Sequence, residues 1–302
     1  MHKGFTLLEV LISVSITLVI GVAVFQLFQQ NERVFNDQNL VTEMHQAARA
    51  AIFQAADEIR MAGQGVPMYA ETYGNVPSEE TVAILSGSNA TRINFRAGLA
   101  PTESFVIAPS PIAFSVGIPI TVTVDDALGL YNAVGGGPSG RFVYVWGPSD
   151  TTGWLWVRAL ITSITPSIKS VHVTPSSAGP IGNAGVTIQF PAFPTMSLEE
   201  AIAIYQDSST GSLRRTTATN MSDPVHPAWA PANELSSNVT QVQFDYFDRI
   251  GNVVTPDTLV NRSRIERVNI RLAVQTAQEL RNHTRPTFAL SVRTNMRNAR
   301  IR

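Results

Sequence analysis

The positions of apolar and polar residues divide the chain into two parts with different periodicities. The first part opens with residues 5–28, a run of 24 residues in which Glu9 is the single charge. As a helix this run is roughly 36 Å long at about 1.5 Å per residue, which is enough to cross a hydrocarbon core of about 30 Å. The run therefore predicts a transmembrane helix. Lys3 should lie on its cytoplasmic side, because basic residues favour that side.

Beyond this run the pattern stays helical but becomes amphipathic. Apolar residues recur three or four positions apart at Leu40, Met44, Ala48, Ala51, Ala55, Ile59 and Ala62. Gly63, Gly65 and Pro67 then end the pattern, because glycine and proline disfavour continuation of a helix. We expect one helix over residues 5–62. Its amphipathic half, within residues 29–65, should cover a globular domain.

From residue 66 onward the period changes to two, which is typical of strands. Strand-like segments lie at 81–85, 92–96, 120–124, 141–146, 154–157, 171–173, 186–190, 239–246, 268–274 and 288–292. Residues 202–205 and 211–215 read as a hairpin. One long helix followed by many short strands predicts an α+β protein. We expect the helix to pack on an antiparallel β domain of residues 66–302 that forms two sheets.

Composition places the chain outside several functional classes. It contains no cysteine, so disulfides, thiolate metal sites and thiol catalysis are excluded. Charged residues make up 15% of the chain, and the many Thr, Ser, Gly and Pro residues are typical of an extracytoplasmic β-rich protein. The formal net charge is −1, but residues 262–302 contain ten arginines against two acids, a local excess of +8.

No residue pattern predicts an enzyme. The histidines are scattered without metal-ligand spacing, and neither lysine lies in the frame of a phosphate-binding loop. Residues 135–140 match G-x-G-x-x-G, but a strand follows them where a dinucleotide site needs a helix, so we interpret them as a loop. Asp125, Asp126, Asp245 and Asp248 lack the spacing of a calcium loop and are interpreted as turn residues. We expect no catalytic residue, no metal site and no cofactor.

The start of the chain carries the most specific motif. Lys3 and Gly4 precede an aromatic residue, Phe5, and Glu9 follows four positions later inside the apolar run. This arrangement resembles the prepilin signal of type IV pilins and type II secretion pseudopilins. The resemblance implies that a prepilin peptidase removes residues 1–4 by cutting after Gly4 and methylates the new terminus at Phe5. It also implies that Glu9 pairs with the free amine of a neighbouring subunit during assembly.

Glu9 is unusual on physical grounds alone. A carboxylate at the centre of a membrane helix costs about 2.5–3.5 kcal/mol on insertion scales, so charges there usually have a partner. Without the motif beside it, Glu9 could equally be an acid near a helix start that favours the positive end of the helix dipole.

The end of the helix narrows the resemblance. Residues 49–63 resemble the corresponding segment of PilW-type minor pilins and of the related GspJ-type minor pseudopilins. The residues that carry this likeness are Arg49, Asp57, Ile59, Arg60, Ala62 and Gly63. Segments 202–215, 242–251 and 265–272 extend the likeness in the same order, whereas residues 97–200 carry little of it. The absence of a proline before Pro67 and the length of the chain favour a minor rather than a major subunit.

The resemblance implies a structural rather than an enzymatic function. A minor pilin would initiate or cap a type IV pilus, and a minor pseudopilin of a type II secretion system is the alternative. The expected partners are other minor and major pilins, the prepilin peptidase and the inner-membrane assembly platform. The expected location is the inner membrane, with one membrane span and an extracytoplasmic C-terminal domain, and afterwards the pilus or pseudopilus.

The arginine-rich end supports a third possibility. Arg264, Arg267, Arg271 and Arg297 could bind an anion or a partner, as in a pilus-tip module that grips DNA or a surface. Alternatively, these arginines line the polar side of strands and pair with acids. We favour pairing, because the aromatic residues that stack on bases are not interleaved with these arginines.

Overall fold

A single long helix leads into the β-rich part of the chain. The structure is a computed structural model that describes residues 7–66, 78–97, 103–135, 137–138, 140–149, 153–179 and 187–296. Helix α1 spans Leu7–Arg60 and contains 54 residues. It covers most of the predicted range of residues 5–62: residues 5 and 6 lie outside the described residues, and the helix ends two residues earlier than predicted. Its buried residues are Met44, Ala48, Ala51, Ile52, Ala55, Ala56 and Ile59. They follow the predicted apolar stripe, and no residue of the first half is buried.

The remaining described residues form strands, two short α-helices and one short 3-10 helix, Pro166–Ile168, which are joined by turns and loops. The strands are β1 (Arg92–Arg96), β2 (Glu103–Ala108), β3 (Ile112–Ser115), β4 (Ile120–Val124), β5 (Phe142–Ser149), β6 (Gly153–Thr165), β7 (Ser170–Gly179), β8 (Thr187–Phe190), β9 (Thr195–Leu198), β10 (Ala201–Asp207), β11 (Ser212–Asn220), β12 (Ala228–Trp229), β13 (Asn233–Ser236), β14 (Val239–Phe247), β15 (Val253–Val254), β16 (Arg267–Gln275) and β17 (Thr287–Asn295). The α-helices are α2 (Ala127–Ala133) and α3 (Leu259–Arg264). Every strand pairing described is antiparallel.

Two sheets enclose the amphipathic half of α1. One has the strand order β1-β10-β11-β12, with β13 also on β11, and the other has the order β15-β14-β16-β17. We call them the helix-packed sheets, because α1 and both sheets share one apolar core. α1 runs alongside β17: the rings of His45 and Phe288 lie 4.0 Å apart, and the Thr294 hydroxyl donates to the Ala56 carbonyl at 3.3 Å.

A third unit is inserted into the first of these sheets. Strands β2-β4-β7-β6-β5-β9 form a closed barrel with an apolar interior, and β3 pairs with β8 as a two-stranded ribbon. In the chain, all of these strands lie between β1 and β10. Yet β1 and β10 pair directly, from Arg92 opposite Tyr205 to Arg96 opposite Ala201. The strands of the inserted barrel therefore lie within residues 97–200, outside the segments on which the expected likeness to minor pilins depends.

The α+β class is confirmed, but two predictions of detail are wrong. The described residues contain four sheets rather than two, because the inserted barrel closes on itself instead of extending a sheet. Residues 81–85 form no strand. They form one isolated β-bridge to β1, from Ile84 to Phe95, and all five residues are buried. The apolar residues of this segment are explained by its burial in the core and not by membership of a β-sheet. The hairpin of β10 and β11 is confirmed.

Candidate functional site

The first half of α1 is an exposed apolar rod. Its large apolar side chains are all exposed: Leu7, Leu8, Val10, Leu11, Ile12, Val14, Ile16, Leu18, Val19, Ile20, Val22, Val24, Phe25, Leu27 and Phe28. The most apolar 18-residue window of the helix has a mean hydropathy of 2.5, and none of it is buried within the protein. By length and composition, α1 is the one helix of the described residues that could cross a membrane. Full exposure distinguishes it from the core helix of a soluble protein.

Glu9 lies in the first described turns of this rod. Its residue is exposed, and it is the single ionisable group among residues 7–28. The polar side chains beside it are satisfied within the helix: Ser13 donates to the carbonyl of Glu9 at 2.8 Å, and Thr17 donates to the carbonyl of Ser13 at 2.8 Å. Such bonds lower the cost of a hydroxyl in lipid. Glu9 is therefore the one position among residues 7–28 where this rod carries a charged side chain.

The comparison with known families bears on this segment. Residues 1–25 match the family model described as the prokaryotic N-terminal methylation motif. The chain has a type IV pilin-like prepilin N-terminus. Gly4 and Phe5, the predicted cleavage and methylation residues, lie outside the described residues. No curated protein and no solved structure was found to match the chain.

The prepilin N-terminus supports several general statements. It supports a type IV pilin-like or pseudopilin-like role, and it indicates a structural protein that interacts with other pilins and with their assembly machinery. Together with the exposed apolar rod, it indicates a membrane-anchored protein with a single span.

The structure separates the four candidate arginines of the C-terminal region. Arg264 is exposed at the end of α3, and Arg297 lies outside the described residues. Arg267 and Arg271 lie on the outer face of β16, opposite the face that packs on α1. Arg271 is paired: its Nε and Nη2 atoms donate to Asp245 Oδ2 at 3.0 and 2.5 Å. Among the described residues, the side chains of Arg264 and Arg267 form no ion pair.

Other arginines of this region are also tied to partners. Arg262 of α3 is buried and pairs with Glu79. The guanidinium of Arg293 lies 5.7 Å from the centre of the Phe247 ring, on the same outer face as Arg267. The predicted pairing of arginines with acids is thus correct for Arg271 and, in addition, applies to Arg262. Arg267 and Arg293 leave a positive charge on the outer face.

The interpretation as a turn residue is wrong for Asp245, which lies within β14 and accepts from Arg271. Asp126 and Asp248 bind nearby backbone groups, as residues of turns and caps do. Asp126 caps α2, accepting from the backbone N–H of Gly129 at 2.8 Å, and Asp248 accepts from the backbone N–H of Asn252 at 2.8 Å. Among the described residues, no group of three or more His, Asp or Glu side chains could hold a metal ion.

The structure contains a buried charged group that no local sequence pattern predicts. Arg96 of β1 and Arg158 of β6 donate through Nε to different oxygens of Glu199, at 2.6 and 2.8 Å. All three side chains are almost completely buried, and we call them the buried triad. Arg96 and Glu199 are 103 residues apart, which is why no local pattern predicts the pair.

The electrostatics of the buried triad keep its carboxylate charged. Burial disfavours the charged form of Glu199, but the guanidiniums of Arg96 and Arg158 outweigh burial and hold its pKa below the ordinary value. Burial raises the pKa of Tyr144, so its hydroxyl stays neutral. That hydroxyl donates to the carbonyl of Glu80 at 2.6 Å and lies 3.3 Å from Glu199 Oε1.

Proposed function

We propose that this chain is a minor pilin that helps to initiate or cap a type IV pilus. The supporting observation is an exposed apolar rod that carries one acid near its start and is attached to a large β domain. Before assembly, the rod spans the inner membrane. The prepilin peptidase removes residues 1–4 and methylates Phe5, and the subunit then passes into the fibre.

Glu9 would recruit the subunit and set its register. Its carboxylate would pair with the methylated amine at Phe5 of an adjacent subunit, so that two charges in an apolar core neutralise each other. Glu9 and Phe5 are four residues apart, which corresponds to roughly 6 Å along a helix axis. The pairing would therefore displace neighbouring helices by about that distance, which is the kind of small stagger that builds a helical fibre.

The inserted barrel supports a minor rather than a repeating position. It leaves the first helix-packed sheet next to Ala97, which bridges to Ala62 just beyond the end of α1. The barrel is therefore attached at the end of α1 away from the lipid. Extra bulk there would crowd every neighbour in a repeating fibre but suits a subunit at the tip.

The test compares two acids on the same helix. Glu9→Ala should still insert and be cleaved, but it should lower the number of fibres to the level of a strain without the protein. Glu32→Ala, which removes an exposed acid outside the apolar run, should leave fibres normal. Normal fibre numbers in Glu9→Ala, or isolated protein that retains residues 1–4 by mass spectrometry, would refute the proposal. Intact pili with lost protein secretion would favour the minor pseudopilin.

One observation favours a second candidate, a tip module that binds DNA or a surface. Arg267 and Arg293 leave uncompensated charge on an exposed sheet face. If this face binds DNA, the double variant Arg267→Gln with Arg293→Gln should bind DNA more weakly and form normal fibres. The slope of the logarithm of its binding constant against the logarithm of the salt concentration should fall by about two. Unchanged binding in this double variant would exclude the face.

A further inference from the structure

The inserted barrel meets the helix-packed sheets at a junction that the chain crosses twice. The chain enters the barrel after β1 and returns through residues 199–200, between β9 and β10. Beside these connections, two small apolar clusters line the junction. One consists of Leu85, Phe142, Ala201, Ala218 and Met221, and the other of Val66, Tyr144 and Trp156. Interfaces of this limited kind usually permit relative motion of the two units.

The buried triad crosses this junction. Arg96 belongs to the first helix-packed sheet, Arg158 belongs to the barrel, and Glu199 lies in the returning connection. One terminal nitrogen of each guanidinium also donates to a backbone carbonyl outside the barrel. Arg96 Nη1 donates to the Val82 carbonyl at 2.8 Å, and Arg158 Nη2 donates to the Met221 carbonyl at 2.6 Å. One carboxylate therefore links the two units through two directional bonds.

The energetics of buried ion pairs indicate what the buried triad contributes to the protein. A buried ion pair gains little net stability, because desolvation offsets the attraction, and apolar replacements of similar volume are often as stable. Apolar contacts, however, are not directional. Charge-assisted bonds to a planar guanidinium restrict both distance and angle. The guanidinium of Arg158 is held from a further side by the Phe142 ring, 3.8 Å away.

We propose that the buried triad sets the orientation of the inserted barrel relative to α1, with Glu199 as the shared anchor. Any surface of the barrel is thereby held in a fixed direction relative to the helix axis. The proposal does not depend on assembly into a pilus, and it assigns the triad a role in geometry rather than in overall stability.

The absence of cysteine permits a direct test on the full chain in detergent. Ala50→Cys on α1 and Ser167→Cys on the barrel replace two exposed residues and can carry spin labels. Electron paramagnetic resonance should give one narrow distance distribution. Glu199→Gln should broaden it by about twofold or more, since freely jointed domains are the default. Asp57→Asn, which removes an exposed acid on α1, should not broaden it.

A second variant separates orientation from stability. Arg96→Met with Arg158→Met and Glu199→Leu replaces the triad by apolar groups and should keep the thermal midpoint while broadening the distribution. A label pair within the barrel, Ile118→Cys with Ser167→Cys, should stay narrow and show that the barrel is intact. A narrow, wild-type distribution between α1 and the barrel in folded Glu199→Gln or in the apolar variant would overturn the proposal.

Discussion

Adjacent acids near the end of α1 allow a sharp test of how the helix is fastened to its sheets. Glu58 lies against β11: Arg215 Nε is 2.8 Å from its Oε1 and 2.9 Å from its Oε2. The side chains are 18% and 15% exposed for Arg215 and Glu58. Asp57 pairs with Arg60 on the helix itself at 2.8 Å, with side chains that are 70% and 44% exposed for Asp57 and Arg60. The two pairs have similar lengths but different burial.

The burial decides the expected magnitudes. A hydrogen bond to a charged group contributes about 1.5–3 kcal/mol when water is largely excluded. Glu58→Gln keeps one acceptor but leaves the charge of Arg215 unpaired, so we expect a loss of about 1.5–2 kcal/mol in unfolding free energy. Asp57→Asn removes an exposed pair on one helix, for which a loss of about 0.2–0.5 kcal/mol is typical.

Urea unfolding of the full chain in detergent measures both losses, with the slope against urea unchanged if the folded state is intact. In 1 M salt the small loss in Asp57→Asn should vanish, whereas the loss in Glu58→Gln should largely persist, because salt screens exposed charges more strongly. Equal losses for the two variants, or a Glu58→Gln loss below about 0.5 kcal/mol, would refute the argument from burial.

Two further predictions concern the inserted barrel. Gly179→Ala places a Cβ atom 1.9 Å from Trp156 Nε1, so the variant should lose about 1–3 kcal/mol of stability and change its tryptophan fluorescence, whereas Gly21→Ala meets no atom within 4 Å and should do neither. In the folded protein the pKa of Glu199 is lower than the ordinary pKa of a glutamate. The charged carboxylate of Glu199 therefore stabilises the fold at any pH above that ordinary pKa, and this contribution is lost as the pH falls through the lowered pKa of the folded protein. The stability difference between wild type and Glu199→Gln should therefore stay constant from pH 8 to about pH 5 and shrink only in stronger acid; a difference that shrinks at neutral pH would contradict this assignment.

Periodicity alone predicts the parts of the fold whose signal is local. The long helix follows from an uninterrupted apolar run and a regular stripe, and β4 and β16 follow from clear alternation over residues 120–124 and 268–274. The strands β2 and β9 are among those that the sequence pattern does not predict. In β2 the apolar residues Phe105 and Ile107 are exposed and alternate with buried residues, so apolar residues lie on both faces of the strand. Apolar residues on both faces of a strand hide the period of two on which such predictions depend.

The candidate site shows the same limit. Glu9 stands out because a single acid in an apolar run is visible in a few residues of sequence. The barrel closure and the buried triad depend on contacts between distant parts of the chain. A buried arginine at the end of β1 looks, in sequence, like any polar residue on a solvated strand face.

The position of β17 beside α1 has a consequence for the order of events during synthesis. The helix is made before the strand that runs alongside it, and that strand is the last of the described strands in the chain. Until β17 is made, the face of α1 between His45 and Ala56 lacks the strand that contacts it. The domain therefore cannot finish folding before β17 is available, and a chain that stops before β17 presents an open helix face to proteases and chaperones.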